Sequence, residues 1–166
     1  MKGYRPVREV LVELMPEITG RFRRNDALRE AARIIDEALK RGLDLSVVET
    51  PHDIPPVLRF HGRREAFVIV YPPGYTLYSL DAAAALEYIG SVVPGGGIVI
   101  FYTRKGRLTD VAYLYLGMAI EVMELRILFI NGSLRELLEV VESIAKKGNY
   151  RLPGEERAVD LGELLE

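Results

Sequence analysis

Phe67-Val68-Ile69-Val70-Tyr71 is apolar at every position, too short for a helix and rich in β-branched residues. Gly97-Ile98-Val99-Ile100-Phe101-Tyr102 repeats the pattern, and Leu125-Arg126-Ile127-Leu128-Phe129-Ile130 repeats it again. Runs without polar alternation fit strands that are covered on both faces. Each run is followed by a helical pattern long enough for a crossover. Residues 66–147 therefore read strand–helix–strand–helix–strand–helix, with three parallel strands in one sheet. The helix starts carry their own signals. Ser79 is the expected cap of the first, with Asp81 in its first turn, and Thr109 that of a helix over 110–123. Ser133-Leu134-Arg135-Glu136 is a capping box, and Lys146-Lys147-Gly148 places cations and a glycine at the end of the last helix.

Upstream, residues 45–49 and 57–60 read as two shorter strands. Between them Thr50-Pro51-His52-Asp53-Ile54-Pro55-Pro56 excludes a helix through its three prolines. With Gly62 to Glu65 as a hairpin turn, these strands and the one at Phe67 form an antiparallel meander. Before them, Asn25 or Asp26 is expected to cap a helix running to Arg41. Leu28, Ala31, Ile35 and Ala38 are its buried stripe and Gly42 its stop. Pro6 with Val7, Val10, Leu11 and Leu14 suggests one more helix, kinked at Pro16 and punctuated by Gly20. Downstream, residues 151–166 read as a loosely attached tail with one short helix near 158–165. Residues 1–150 are then a single α/β domain in the order α-α-β-β-β-α-β-α-β-α.

Composition narrows the function classes. The chain has no cysteine, which excludes disulfides, thiol chemistry and Cys-type zinc sites. It also has no glutamine and only Asn25, Asn131 and Asn149 as asparagines, the archaeal-type composition of a hyperthermophile. No apolar run reaches the roughly 18–20 residues of a membrane span, and the start lacks a signal peptide's apolar core. The expectation is a cytoplasmic protein with no membrane partner. A net charge of −2 does not mark a nucleic-acid binder, but the cations cluster. Arg21, Arg23 and Arg24 form one group, Arg59, His61, Arg63 and Arg64 a second, and Arg104, Lys105 and Arg107 a third. A basic face on a near-neutral chain can contact phosphates. For any single cluster, solvated loop charge is the plainer reading. Acidic residues gather in the helices and in the tail, at Glu155, Glu156, Asp160, Glu163 and Glu166.

A helix, three meandering strands and then helix–strand–helix–strand is the core order of the restriction-endonuclease-like fold. Within it, the strand 97–103 ending in Thr103, then Thr109-Asp110-Val111-Ala112, then a strand ending in Asn131-Gly132 before Leu134 and Leu137, resembles the Mrr-type restriction endonuclease family over residues 81–141. The resemblance implies a three-layer α-β-α sandwich whose mixed sheet joins an antiparallel meander to a parallel βαβαβ unit. Nucleases of this fold hold a divalent metal with an Asp on the second strand and an acid two residues before a Lys on the third. Asp53 could be the first acid, with Asp44 weaker. The third strand, Val68-Ile69-Val70-Tyr71-Pro72-Pro73, offers neither acid nor lysine. The resemblance therefore implies no catalytic residues, no metal and no cofactor. It implies a nuclease-fold chain kept for nucleic-acid association, through Arg59, Arg63, Arg64, Arg104, Lys105 and Arg107, or for assembly with a protein partner. A homodimer is expected, because the helix over 110–123 is apolar on several faces.

The same residues admit another resemblance. Val70-Tyr71-Pro72-Pro73-Gly74 and the later Val93-Pro94-Gly95-Gly96-Gly97 look like the fourth and fifth strands of Rossmann-like methyltransferases. Tyr71 stands where that family has an Asn or Asp, and no Gly-rich strand-to-helix loop precedes it. In that reading Tyr71, Tyr75 and Tyr78 line a small-ligand pocket at the carboxyl end of the first core strand. His52 and His61, the only histidines, could bind a metal with Asp53 and Glu65. A loop role is the plainer reading for His52.

Overall fold

The computed structural model describes residues 22–152 and 158–161. The expected helix beginning at Pro6, together with Arg21 and most of the acidic tail, lies outside the described residues. The elements are α1 (Arg24–Lys40), β1 (Asp44–Val48), β2 (Val57–His61), β3 (Ala66–Val70), β4 (Thr76–Leu77), α2 (Ser79–Ile89), β5 (Ile98–Tyr102), β6 (Arg107–Leu108), α3 (Asp110–Met123), β7 (Arg126–Ile130), α4 (Leu134–Lys147) and β8 (Ala158–Asp160). Six strands form one mixed sheet in the order β1-β2-β3-β5-β7-β8. β1, β2 and β3 are the antiparallel meander, while β3, β5 and β7 run parallel.

The unbroken apolar runs have the predicted cause. Ala66, Val68 and Val70 of β3 face one core cluster, while Phe67 and Ile69 face the other. β5 divides in the same way, Ile98, Ile100 and Tyr102 against Val99 and Phe101. α1 and α4 contribute to the first cluster, α2 and α3 to the second. Two successive crossovers in one direction along the sheet, β3-α2-β5 and β5-α3-β7, put their helices on one face, as crossovers of a single hand must.

Several local expectations shift. α1 begins at Arg24 with Arg23 as its cap residue, not at Asn25 or Asp26. Its start is pinned by the Arg24 guanidinium, which donates to the carbonyls of Thr50, Pro51 and Ile54. Its buried side is Ala27, Glu30, Ala31, Ile34 and Ala38, while Leu28 is turned to solvent and Ile35 is only half-buried. Three alanines let the helix backbone sit close to the sheet, which rotates the bulkier Leu28 outward. Tyr78, not Ser79, occupies the cap position of α2, and its N–H donates to Asp81 Oδ2 at 3.0 Å. The caps at Thr109 and Ser133 stand as expected. At the β2–β3 turn, a Cβ on Gly62 would lie 2.3 Å from the Ala145 carbonyl oxygen. That close approach lets Arg63 N–H donate to the same oxygen at 2.7 Å.

The tail is the largest correction. Ala158–Asp160 is a strand, not a helix, and pairs antiparallel with β7. Ala158, Asp160 and Leu161 are all buried. Asp160 accepts from the Tyr150 hydroxyl and lies 3.8 Å from Arg126. An open strand edge and a cation beside it outweigh the weak helical pattern of this segment. β4 and β6, a two-stranded parallel ribbon, are too short to show in the sequence.

Candidate ligand surface at the carboxyl end of the sheet

β3, β5 and β7 are in register, with Val70 beside Tyr102 and Tyr102 beside Ile130. Their next residues, Tyr71, Thr103 and Asn131, therefore meet at one edge, where open α/β sheets bind ligands. The loops that leave these strands are tied to one another. Gly74 N–H donates to Arg104 O at 2.7 Å, Lys105 N–H to Asn131 O at 2.9 Å, and Asn131 Nδ2 to Gly106 O at 3.0 Å. Thr103, fully buried, donates its hydroxyl to Pro72 O at 2.8 Å and accepts from Tyr75 N–H at 3.1 Å. A Cβ on Gly106 would come within 2.4 Å of the Thr103 side chain and of Tyr75 O. Lys105, at the tip, has φ 61°, a left-handed conformation unusual for a residue with a side chain.

The tyrosines form part of this edge. The Tyr71 and Tyr75 rings stack with centroids 5.2 Å apart and planes 12° apart. Phe22 meets both edge-on, at 6.2 and 6.4 Å. The Tyr75 hydroxyl donates to Asp81 Oδ1 at 2.9 Å. Burial raises the Asp81 carboxyl to about 6, against the lowering effect of its hydrogen bonds from Tyr78 N–H and the Tyr75 hydroxyl. Burial likewise drives the Tyr71 and Tyr75 hydroxyls upward, with the Asp81 charge adding to the effect. The Tyr71 hydroxyl is buried and has no hydrogen-bond partner among the described residues. Tyr78 contributes through its backbone N–H.

The six cations named from the sequence fall into two groups at opposite ends of β3, roughly 15 Å apart at about 3.3 Å per residue. Arg59, Arg63 and Arg64 are at the amino end. Arg59 grips Glu65 through two nitrogens at 2.7–3.1 Å and lies over the Phe67 ring at 5.2 Å. That guanidinium is the main reason the Glu65 carboxyl sits below its ordinary value. Arg64 donates to the carbonyls of Gly96 and Gly148. Only Arg63 of this group is exposed. Arg104, Lys105 and Arg107 are at the carboxyl end. Arg104 Nε pairs with the buried Glu30 at 3.0 Å, while Lys105 and Arg107 are exposed. Beside them an open cleft of about 280 Å³ is lined by Arg107, Tyr113, Phe129, Asn131 and the β8 residues Ala158 and Val159.

The histidines do not converge. His61 contacts Ser46 Oγ at 2.9 Å and Glu65 at 3.3 Å, at the amino end. His52 and Asp53 are exposed in the loop at the other end. Among the described residues no three His, Asp or Glu side chains come together as a metal site, and no helix is long and apolar enough to cross a membrane. β3 itself is five buried apolar residues.

Sequence reading named Thr103, Asn131 and Asp81 only as strand ends or helix caps, and Glu30 not at all. Aligning the ends of the three core strands would have drawn Thr103 and Asn131 beside Tyr71. Glu30 carries no such signal, since an acid on a charged helix reads as solvated. Comparison with family models, with curated proteins and with solved structures returns no match.

Proposed function

We propose that this chain is a binding domain of restriction-endonuclease-like, three-layer α-β-α architecture that associates with nucleic acid without cleaving it. Lys105 and Arg107 at the carboxyl end of the sheet are its phosphate contacts. The observation that carries the reading is their placement: two exposed cations on cross-braced loops, next to a cleft lined by Tyr113, Phe129 and Asn131. Cations for phosphate and an aromatic ring for a base are the recurrent pairing in nucleic-acid sites; here the ring is the half-buried Tyr113, since Phe129 is buried in the core. The fold reading is supported by the element order and by core clusters on both faces of the sheet. β3 supplies neither the carboxylate nor the lysine of the family's metal chemistry, so the role is binding.

Fluorescence anisotropy with duplex DNA, branched DNA and structured RNA tests this. Binding should weaken steeply with salt. The double variant Lys105→Glu/Arg107→Glu should lose at least tenfold in affinity, while Arg63→Glu at the far end should change it less than twofold. No binding at low salt, or equal losses from both ends, would sink the proposal.

A small-ligand reading has one observation in its favour, the buried Tyr71 hydroxyl, which has no hydrogen-bond partner among the described residues and lies beside the stacked Tyr75 ring. A small molecule that saturably raises Tm, and does so less for Tyr71→Phe, would select it.

A further inference from the structure

Ser46, His61 and Glu65 stand in one hydrogen-bonded line near the amino end of β3. Ser46 Oγ lies 2.9 Å from His61 Nε2, and His61 Nδ1 lies 3.3 Å from Glu65 Oε1. The β1–β2 ladder makes the first contact. Ser46 pairs with Arg59 and Asp44 with His61, so Ser46 and His61 are diagonal neighbours on one face. The β2–β3 turn makes the second, because His61 and Glu65 flank Gly62-Arg63-Arg64. That turn is fixed to α4 by the Arg63 N–H, which donates to Ala145 O.

The partners assign the proton. A carboxylate only accepts, so the hydrogen of the neutral ring that faces Glu65 is on Nδ1. Nε2 then turns its lone pair to the Ser46 hydroxyl, which donates. Arg59 keeps Glu65 ionised for this role, since its Nη2 donates to both carboxylate oxygens and holds the carboxyl below its ordinary value. A hydroxyl, a base and an acid that orients the base, each within hydrogen-bond reach of the next, is the arrangement that activates a serine. Ser46 is also exposed, as an attacking group must be.

A donor for the developing oxyanion follows from the ladder. Val70 N–H donates to Pro56 O, so alternation along β2 turns the backbone groups of Arg59 toward Ser46. The N–H of Val47, the next residue of β1, therefore points out of the sheet edge, where no described strand covers it. A backbone N–H one residue beyond the nucleophile is a recurrent oxyanion donor. We infer that Ser46, His61 and Glu65 form an acyl-transfer site that takes small carboxylic esters from solvent. The inference goes beyond the nucleic-acid reading and uses neither Lys105 nor Arg107. In the reaction, Ser46 Oγ bonds the ester carbonyl carbon while its proton passes to His61 Nε2. Collapse breaks the bond to the leaving alcohol, which takes that proton. Water then attacks the acyl-serine with His61 again as base, releasing the carboxylic acid and returning the proton to Ser46.

Modification by a fluorophosphonate, located by peptide mass mapping, is the first test, with turnover of p-nitrophenyl acetate measured beside it. The folded chain should carry the adduct on Ser46, and the urea-unfolded chain should carry none. Ser46→Ala and His61→Gln should each lower turnover about 100-fold or more while leaving circular dichroism unchanged. Glu65 acts through His61 and is a positioning residue. Glu65→Gln should lower kcat at least tenfold with KM unchanged, because an amide supplies no charge for the imidazolium. A kcat equal to wild type would remove Glu65 from the site. An unmodified Ser46 would overturn the assignment. So would turnover that survives Ser46→Ala, which would mean that a side chain other than the serine attacks the ester.

Discussion

Thr103 shows how much one side chain at a strand end can hold. Its hydroxyl bridges Pro72 O and Tyr75 N–H from a fully buried position. Valine would match its shape but leave both backbone groups unpaired. Thr103→Val should cost about 1–3 kcal/mol, read by urea unfolding. A loss below 0.5 kcal/mol would mean that the loops are held without it. Asp81 gives a prediction in pH. Its folded-state value of about 6 lies above the ordinary carboxyl value, so the folded chain takes up this proton at higher pH than the unfolded chain does. Its contribution favours folding below about pH 4 and falls away as pH rises through about 6. Glu65 and Glu142, both held low by cation partners, act in the opposite sense at lower pH. The readout is therefore the difference between wild type and Asp81→Asn. That difference in unfolding free energy should change by on the order of 2–3 kcal/mol between pH 4 and 7. Parallel curves for the two proteins would assign the effect elsewhere.

At the scale of elements, β8 is the piece that sequence patterning misreads. Five residues at 98–102 or 126–130 announce a strand because both faces of the sheet are covered. Three residues at the sheet edge do not, since their state is decided by the ladder they join. β8 covers the outer edge of β7 and buries Leu161 in the second core cluster. Deleting residues 158–166 should cost about 3 kcal/mol, roughly a 10 °C drop in Tm, and expose an edge prone to aggregation. An unchanged Tm would show that the strand is dispensable. The expected helix over 110–123 fared differently, matching Asp110–Met123 residue for residue. Thr109 marks its start, and Glu124 ends it in a left-handed conformation.

At the scale of the molecule, the two ends of the sheet should answer differently to nucleic acid. Salt should weaken nucleic-acid binding at Lys105 and Arg107, an attraction of unlike charges, and the charge-reversed variant of those two residues should flatten that dependence while Arg63→Glu at the far end leaves it in place. A salt slope that both variants change equally would refute the assignment.

The sequence by itself determined the α/β class, the antiparallel meander feeding parallel strands, and the caps at Thr109 and Ser133. These rest on periodicity and on hydrogen bonds closed within a few residues, which any local stretch displays. Tertiary structure alone decided that Arg59 and Arg64 are held in place while Lys105 and Arg107 are free to solvent. It also placed Thr103 and Asn131 beside Tyr71, buried Glu30 against Arg104, and made residues 158–160 a strand. Each of these depends on strand register, or on a partner many residues away in the chain, and a pattern read along the sequence carries neither.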